Sequence, residues 1–219
     1  MKISKRLRVI SDFIPNNSFI LDIGCDHALL DIYTVLTKKN IKAIASDINI
    51  KPLERARENV SKYKLNDKII IKQGNGLSTY EKNVDTVILS GLGSTTIVNI
   101  LKEAKEKDIK KLIISSNNDY YYLRKSICSL GFYIKDEQIV LDKGKYYPII
   151  VFEKGQQKYN KFELKYGPVL LKNKSKDFIN YLKLSKKKLI DIYNSLANKY
   201  FIKKILLRFE INKINKSLK

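Results

Sequence analysis

Residues that bind metals or form disulfides are scarce in this chain. The 219 residues include one histidine, two cysteines and no tryptophan. Two cysteines, Cys25 and Cys128, are too few for a disulfide-stapled scaffold, and a single histidine leaves no Cys/His cluster of the kind that binds zinc. We therefore expect both thiols to be reduced, with Cys128 in the core, and we predict no metal site.

Long apolar runs are also missing. No apolar stretch reaches the roughly 20 residues that a membrane-spanning helix needs, and residues 1–8 alternate basic and apolar side chains without the core of a signal peptide. We therefore expect a cytoplasmic protein with no membrane contact. A hydrophobic content of 44% suits one good core with a small appendage, and it excludes a wholly disordered chain.

Acidic residues become scarce towards the C-terminus. The formal net charge is +21, and residues 155–219 contribute +13 of it, from 17 basic and 4 acidic side chains. A field of this sign suits a polyanion such as a nucleic acid, bound through salt-dependent phosphate contacts. The alternative is codon bias, because 37 of the 43 basic residues are lysine and an AT-rich genome favours lysine. That bias does not explain the loss of acids after Gly155.

The most informative motif is DIGCDH at residues 22–27, which follows the apolar run 19–21. A strand that turns into a helix through a glycine, here Gly24, is typical of a nucleotide-type cofactor site, and Asp26 is placed to cap the helix. The dinucleotide fingerprint G-x-G-x-x-G is incomplete, and Asp22 and Asp26 would repel a pyrophosphate. The acidic loop instead favours a cation such as the sulphonium and amino groups of S-adenosylmethionine (SAM). An ordinary capped turn is the alternative.

The next predicted strand, residues 41–46, ends at Asp47. Asp47 lies 25 residues after Asp22, and Rossmann-type folds place a ribose-binding acid at about this spacing. A carboxylate at this strand end can accept hydrogen bonds from both ribose hydroxyls. A helix over residues 53–60 follows, opened by Pro52 at its first turn.

Two further predicted strands end in glycine-containing loops. Strand 69–72 precedes QGNGL at residues 73–77, where Asn75 can bond an adenine edge, and strand 85–89 precedes SGLGS at residues 90–94. Because the carboxyl ends of parallel strands share one edge of a sheet, these loops predict a single cofactor site. The predicted cofactor-binding residues are Asp22, Gly24, Asp26, Asp47, Ile48, Gly74, Asn75, Gly76 and Ser90.

These motifs make the chain similar to the bacterial tRNA methyltransferases that modify N1 of adenine at position 22. The resemblance runs almost end to end, and DHA at residues 26–28 and YGP at residues 166–168 are its most specific parts. The chain departs from the family pattern at Ser94, where a glycine is usual, at Asn75 (aspartate) and at Asp31 (proline). The other matching segments are residues 4–7, 14–16, 22–25, 73–77, 91–93, Asn117, Arg124 and 144–147.

The resemblance implies a class I SAM-dependent methyltransferase that uses SAM to methylate tRNA. Asp26 is the first candidate to stabilise the ring cation formed by methylation and to accept the proton that the exocyclic amine loses. His27 is placed to orient or stack on the base, although a histidine at a helix start equally contacts solvent or carbonyls. The candidate substrate-binding residues are Gly91, Leu92, Gly93, Asn117, Arg124, Lys145 and Tyr147.

Alternatives remain for these assignments. The glycine loop at residues 91–93 can be a plain turn, Asn117 a helix cap, and Arg124, Lys145 and Tyr147 solvated surface residues. One alternative function is methylation of another RNA nucleoside by the same fold. Another is a catalytically idle RNA-binding protein, which the departures from the family pattern would favour.

Periodicity predicts a Rossmann-like α/β domain over residues 1–154 and a helical domain over residues 155–219. The first begins with an amphipathic helix at 1–13. After the glycine loop come a helix at 95–105, a strand at 111–115 and a helix at 120–130, then an antiparallel hairpin of strands 132–140 and 146–152.

In the second predicted domain, apolar residues follow a heptad pattern. Two antiparallel helices that bury both apolar stripes as a short coiled coil would leave their lysines free to contact tRNA. The alternative is a coiled coil that only dimerises or braces the first domain; we expect a monomer. The first stripe is Phe178, Leu182, Leu189, Ile192 and Leu196, and the second is Ile202, Leu206 and Phe209, with Ile214 and Leu218 as its extension.

Overall fold

The computed structural model is built on one mixed β-sheet. It describes the backbone of residues 1–219 and every side chain except those of Lys105, Glu106 and Asn198. Over these residues the strand order is β3-β2-β1-β4-β5-β7-β6. Strands β1 to β5 pair in parallel and β7 pairs antiparallel with both β5 and β6, which confirms the predicted Rossmann-like sheet with its antiparallel edge. The strands are β1 (Phe19–Ile23), β2 (Lys42–Asp47), β3 (Ile69–Gln73), β4 (Thr86–Ser90), β5 (Lys111–Ser115), β6 (Phe132–Asp142) and β7 (Lys145–Lys154).

Helices cover both faces of the sheet. One core forms where α1, α2 and α3 pack on strand residues that include Ile20 and Ile88, and a second forms where α4 and α5 pack on neighbours that include Leu21 and Leu89. Since successive strand residues point to opposite faces, central strands buried on both faces read as continuous apolar runs. The helices are α1 (Lys5–Asp12), α2 (Leu29–Thr37), α3 (Ile50–Lys62), α4 (Ser94–Leu101), α5 (Tyr120–Ser129), α6 (Lys161–Tyr166), α7 (Pro168–Asn173), α8 (Lys176–Ser195) and α9 (Phe201–Ser217), with 3₁₀ turns at Gly76–Thr79, Lys102–Glu106 and Asn198–Tyr200.

Three helix starts differ from prediction. α1 begins later than expected because the Ser4 hydroxyl caps it, accepting from the amide of Leu7 at 3.2 Å. α3 begins earlier, so Pro52 is its third residue and not its first. The prediction that Asp26 caps α2 is wrong: α2 starts at Leu29, and the residue before it, Ala28, lies in the left-handed region without a side-chain cap.

A buried ion pair fastens the C-terminal helices to the sheet. Arg124 of α5 and Glu137 of β6 meet with Nε 2.7 Å from Oε1, and both side chains are almost fully buried. Arg124 also donates to the carbonyls of Leu164 (3.1 Å) and Lys165 (3.3 Å) at the end of α6. Glu137 accepts from the amide of Val169 at 3.0 Å, at the start of α7. Because unpairing either buried charge costs about 3–5 kcal/mol, this cluster fixes how the chain leaves the sheet.

Among the described side chains, the fully buried packing between α8 and α9 lies near the sheet. Phe178, Leu182 and Ile214 are fully buried there in a small core that also contains Ile139 of β6 and Tyr166. The expectation that a coiled coil buries both apolar stripes is wrong at the far end: Ile192 is 44% exposed, and Ile202, Leu206 and Phe209 are 61–65% exposed. The physical reason is that α9 carries apolar residues around most of its circumference there, so that a single neighbouring helix covers only part of it.

The ion-pair cluster predicts an unusually costly glycine substitution. At Gly167, whose φ is +96°, a Cβ would lie 2.7 Å from Glu137 Oε2 and 2.9 Å from the Arg124 guanidinium. We expect Gly167→Ala to lower the free energy of unfolding in urea by about 2–4 kcal/mol. The matched control is Gly131→Ala, where φ is +89° but a Cβ meets nothing within 4 Å, so only the strain of about 1 kcal/mol remains. An equal decrease in the free energy of unfolding in both variants would contradict the claim that the buried ion pair leaves no room for a side chain at residue 167.

Candidate functional site

The site forms at the carboxyl ends of β1, β2 and β4. The loop after β1 folds onto β2 because the amides of Gly24 and Cys25 both donate to the carbonyl of Ser46, at 2.8 and 3.0 Å. Gly24 has a φ of +78°, which a side chain would strain. The turn brings Gly24 beside Leu92 of the loop after β4, so the loops of three strands meet at one point.

A cavity of about 250 Å³ lies on one side of Gly24. Asp47 stands at its rim, with one carboxylate oxygen accepting from the amide of Asn49 at 2.8 Å. Gly74 is required here, because a Cβ would lie within 3 Å of both Ser78 and Thr79. The structure thus brings together most of the predicted cofactor residues and adds Thr96 and Ile100, which no sequence motif indicated. The cavity is lined by Ile23, Gly24, Asp47, Ile48, Asn49, Gly74, Asn75, Gly76, Leu92, Thr96 and Ile100.

A smaller cavity, of about 100 Å³, lies on the other side of Gly24. Two buried polar atoms here, Nδ1 of His27 and the hydroxyl of Ser90, have no hydrogen-bond partner among the described residues. Buried polar groups are normally paired, so these atoms are available to bond a polar group that enters the cavity. The cavity is lined by Arg6, Leu7, Asp22, Gly24, Cys25, Asp26, His27, Leu29, Leu30 and Ser90.

A pair of buried carboxyl groups stands at this smaller cavity. Asp22, at the end of β1, is 4% exposed and lines it, and Asp31 of α2 is completely buried beside Asp22. Burial raises the pKa of Asp22 to about 7, with a further increase from the charge of Asp47. Burial also raises the pKa of Asp31 well above its usual range, and the charge of Asp22 adds to this effect. Burial likewise keeps the neighbouring Cys25 thiol protonated, because it raises the pKa of that thiol far above its usual range.

Asp26 and His27 lie at the mouth of the smaller cavity. The Asp26 side chain is 73% exposed, and its Oδ1 lies 3.4 Å from Nε2 of His27. Asp26 lies in the left-handed region, with a φ of +51°. The loop is held from behind by Asn59 of α3, whose amide donates to the carbonyl of His27 at 3.0 Å. A solvent-facing carboxylate next to an imidazole is available to a base that enters from outside.

Four elements converge on the opposite side of this mouth. The Asn117 side-chain amide donates to the carbonyl of Gly91, and Lys145 Nζ donates to the carbonyl of Asn117 at 3.2 Å. Two cations lie close to the Tyr147 ring, with Lys145 Nζ at 5.1 Å and the Arg6 guanidinium carbon at 4.8 Å from its centroid. Arg6 was not predicted, since its position in an amphipathic helix gives no sign that α1 reaches the site.

One predicted substrate residue is placed elsewhere. Arg124 is 1% exposed and is bonded to Glu137 and to carbonyls of α6, so its guanidinium is not available to a substrate. Its side chain is structural, and the prediction that it binds substrate is wrong. Ser94, which replaces a glycine of the family pattern, is also buried; its amide donates to the Asn118 side chain at 2.9 Å, at the first residue of α4.

Two further features concern metal sites and membrane-spanning helices. Among the side chains that the structure describes, no three His, Cys, Asp or Glu residues are grouped to hold a metal ion. None of the helices in the described ranges is long and apolar enough to span a membrane.

The chain matches a known class of enzymes over most of its length. A family described as "Methyltransferase domain" matches residues 3–150, and the strand order with its antiparallel edge agrees with that class. A tRNA (adenine(22)-N(1))-methyltransferase of Bacillus subtilis is 31% identical over 97% of this chain and 96% of its own length. The chain therefore belongs to the tRNA m1A22 methyltransferase family.

Solved structures agree over the whole chain. The structure of M. capricolum TrmK in complex with S-adenosyl-homocysteine is 34% identical, with a TM-score of 0.85, over 100% of this chain and 98% of that one. The structure of the B. subtilis m1A22 tRNA methyltransferase TrmK is 28% identical, with a TM-score of 0.85, over 100% and 99% of the two chains. The C-terminal helices are therefore part of the shared fold.

The carboxyl pair predicts a pH-dependent stability difference. A carboxyl whose pKa is raised by folding keeps its proton in the folded state and loses it on unfolding, so its contribution to stability falls as pH rises above its unfolded pKa. We expect Asp31→Asn to become more stable relative to the wild type as pH rises from 5 to 8, by at most about 1.4 kcal/mol per pH unit. Urea unfolding at several pH values measures this difference. A difference that does not change with pH would contradict it.

Proposed function

We propose that this protein transfers a methyl group from SAM to N1 of adenine 22 in tRNA. The observation that carries the proposal is the pair of cavities on either side of Gly24 in a chain of this family, each with a buried or strand-end carboxylate. One cavity suits a nucleoside and the other a small cation. Together they match the two ends of SAM.

The residues present fit this cofactor. Asp47 would hold the ribose hydroxyls, and Ile48 and Leu92, which line the same cavity, would give apolar contacts to the adenine ring. Asn75 at the same cavity is the partner for the adenine edge. Asp22, in the smaller cavity, is the carboxylate for the amino group of the methionine end. SAM supplies, when bound, an electrophilic methyl group on a cationic sulphur.

The acceptor base is expected at the mouth of the smaller cavity. The Watson–Crick edge that carries N1 is hidden in paired RNA, so the adenine must leave its stack and be held by the protein. The Gly91 loop allows close approach, since its only described neighbour within 4 Å of a Cβ would be Arg6. Tyr147, flanked by Arg6 and Lys145, offers an aromatic surface with cations for the adjacent phosphates.

Catalysis by this chain is mainly positioning, because N1 of adenine already has a lone pair. Methylation makes the ring cationic, and the carboxylate of Asp26 stabilises this charge and accepts the proton that the exocyclic amine loses. His27 lies 3.4 Å from Asp26 and orients either that carboxylate or the base.

The C-terminal helices are proposed to hold the tRNA. Residues 155–219 carry +13 of the net charge, and α8 and α9 present exposed cations along their length, including Lys187, Lys188, Lys203 and Arg208. We propose residues 155–219 as the RNA-binding domain, residues 1–154 as the catalytic domain, and a monomer as the active form in the cytosol. The helical pair then acts as a short coiled coil only near the sheet, with its apolar far end left for RNA.

The function is tested with labelled SAM and separate pools of unmodified tRNA and ribosomal RNA. We expect label in tRNA, recovered as N1-methyladenine after digestion and mass spectrometry. Label in ribosomal RNA, or another methylated nucleoside, would keep the fold and overturn the substrate. Binding of tRNA without any product would favour an idle RNA-binding protein.

The role of Asp26 predicts a selective loss of turnover. We expect Asp26→Asn to retain SAM binding and to lose roughly 10²–10⁴-fold in methyl transfer, because the amide cannot accept the proton. Single-turnover rates at saturating SAM and tRNA measure the loss. Asp67→Asn, an exposed carboxylate at the opposite edge of the sheet, is the matched control. Wild-type turnover in Asp26→Asn would remove this residue from the mechanism.

The charged helices predict a change in salt dependence. We expect a variant in which glutamine replaces all four of Lys187, Lys188, Lys203 and Arg208 to bind tRNA more weakly. The slope of log Kd against log salt should fall by about 1 for each phosphate that the protein no longer neutralises. Filter binding at several salt concentrations measures both effects.

The control is a second variant with the same change in net charge. In it, glutamine replaces four exposed lysines at the end of α3 and in the loops before β3 and β4. An equal effect in both variants would show that the charge acts without a defined tRNA surface. The control residues are Lys62, Lys64, Lys68 and Lys82.

A further inference from the structure

Asp31 is a buried acid that no step of the proposed reaction uses. It is 0% exposed on the first turn of α2, and no N–H or hydroxyl donor among the described residues makes a hydrogen bond of ordinary geometry to either of its carboxylate oxygens. The group that its carboxyl meets is another carboxyl, that of Asp22. Two carboxyl groups can bond only when one of them carries a proton, because an ionised carboxylate has no donor.

The proton belongs mainly on Asp31. Two carboxyl groups that share a buried place do not both ionise, because each charge opposes the other and water is excluded. Burial raises the pKa of both groups, to about 7 for Asp22 and well above the usual range for Asp31. Asp31 is 0% exposed and does not line the cavity, whereas Asp22 lines it and can meet a cationic ligand there. Asp31 is therefore the neutral donor, and Asp22 is the group that ionises.

The other groups that face the pair do not supply a cation to Asp22. Asp47 of β2 adds a negative charge that opposes ionisation, and the Cys25 thiol stays protonated. Of the described cationic or imidazole groups that line the cavity, Arg6 lies over Tyr147 and His27 lies beside Asp26. The positive partner of Asp22 must then come from the ligand.

We propose that Asp31, as a neutral acid, donates a hydrogen bond to Asp22 and so keeps that carboxylate ionised and oriented for the cationic amino group of the cofactor. Asp31 is a positioning residue and does not itself contact the cofactor. The inference rests on the proposed function, in that it takes SAM as the ligand. When the amino group binds, any proton remaining on Asp22 is released to solvent, so cofactor affinity is linked to pH.

The test is the affinity for S-adenosylhomocysteine, which carries the same amino-acid end, measured by calorimetry between pH 5.5 and 8.5. For the wild type, affinity should rise with pH, by up to tenfold per unit, and level off above about pH 7. Asp31→Asn keeps a side-chain N–H donor of similar size, so its midpoint should stay within about 0.3 pH units of the wild type. Asp31→Leu keeps the volume but removes the donor, so its midpoint should move up by about one unit and its affinity at pH 7 should fall several-fold.

The readout separates positioning from simple space filling. An unshifted midpoint in Asp31→Leu, or the same upward shift in Asp31→Asn and Asp31→Leu, would overturn the role of Asp31 while leaving the function intact. If the wild type bound no S-adenosylhomocysteine at any pH, the proposed function itself would fall, and this inference with it. Thermal unfolding confirms that each variant is folded, and Asp31→Ala replaces the leucine variant if that chain does not fold.

Discussion

The parallel pairing of β1 between β2 and β4 is the constraint on which the site depends. The register sets Ile23 opposite Ser46 on one side and Leu89 on the other, so the three strands end at the same level. Gly24 can then turn back onto Ser46 and meet Leu92. One backbone arrangement thereby makes both cavities and sets their shared wall. A shift of either pairing would move Asp22 or Asp47 out of the site, since strand side chains alternate between faces.

The buried pair of Arg124 and Glu137 plays the corresponding role for the C-terminal helices. It joins α5 and β6 of the sheet domain to the ends of α6 and α7 through one charge pair and several backbone bonds. A charge pair in this position specifies geometry more than it adds stability, because desolvation offsets much of the attraction. Its geometry directs α8 and α9 away from the sheet, with their basic surface exposed. The YGP segment of the sequence marks this junction, because Gly167 leaves no room for a side chain.

Much of the fold and of the lining of the larger cavity could be predicted from local sequence. Apolar runs that end in glycine or acidic residues indicated the strands, because such runs are short, buried and regularly spaced. Contacts made through long-range packing could not be predicted. Arg6 reaches the site from α1. Arg124 is buried, although an arginine on an amphipathic helix usually faces solvent. The apolar residues of α9 remain exposed, although their spacing fits a heptad. Each depends on which element lies opposite, which periodicity does not specify.

Methylation at N1 of one particular adenine can be decided with a matched pair of tRNA transcripts. One transcript carries adenine at position 22 and the other carries guanine there. After incubation with SAM, primer extension and nucleoside mass spectrometry locate any methyl group. We expect one N1-methyladenine per molecule, at position 22 of the first transcript, and no product on the second. Methylation of both transcripts, or at another position, would contradict the proposed specificity.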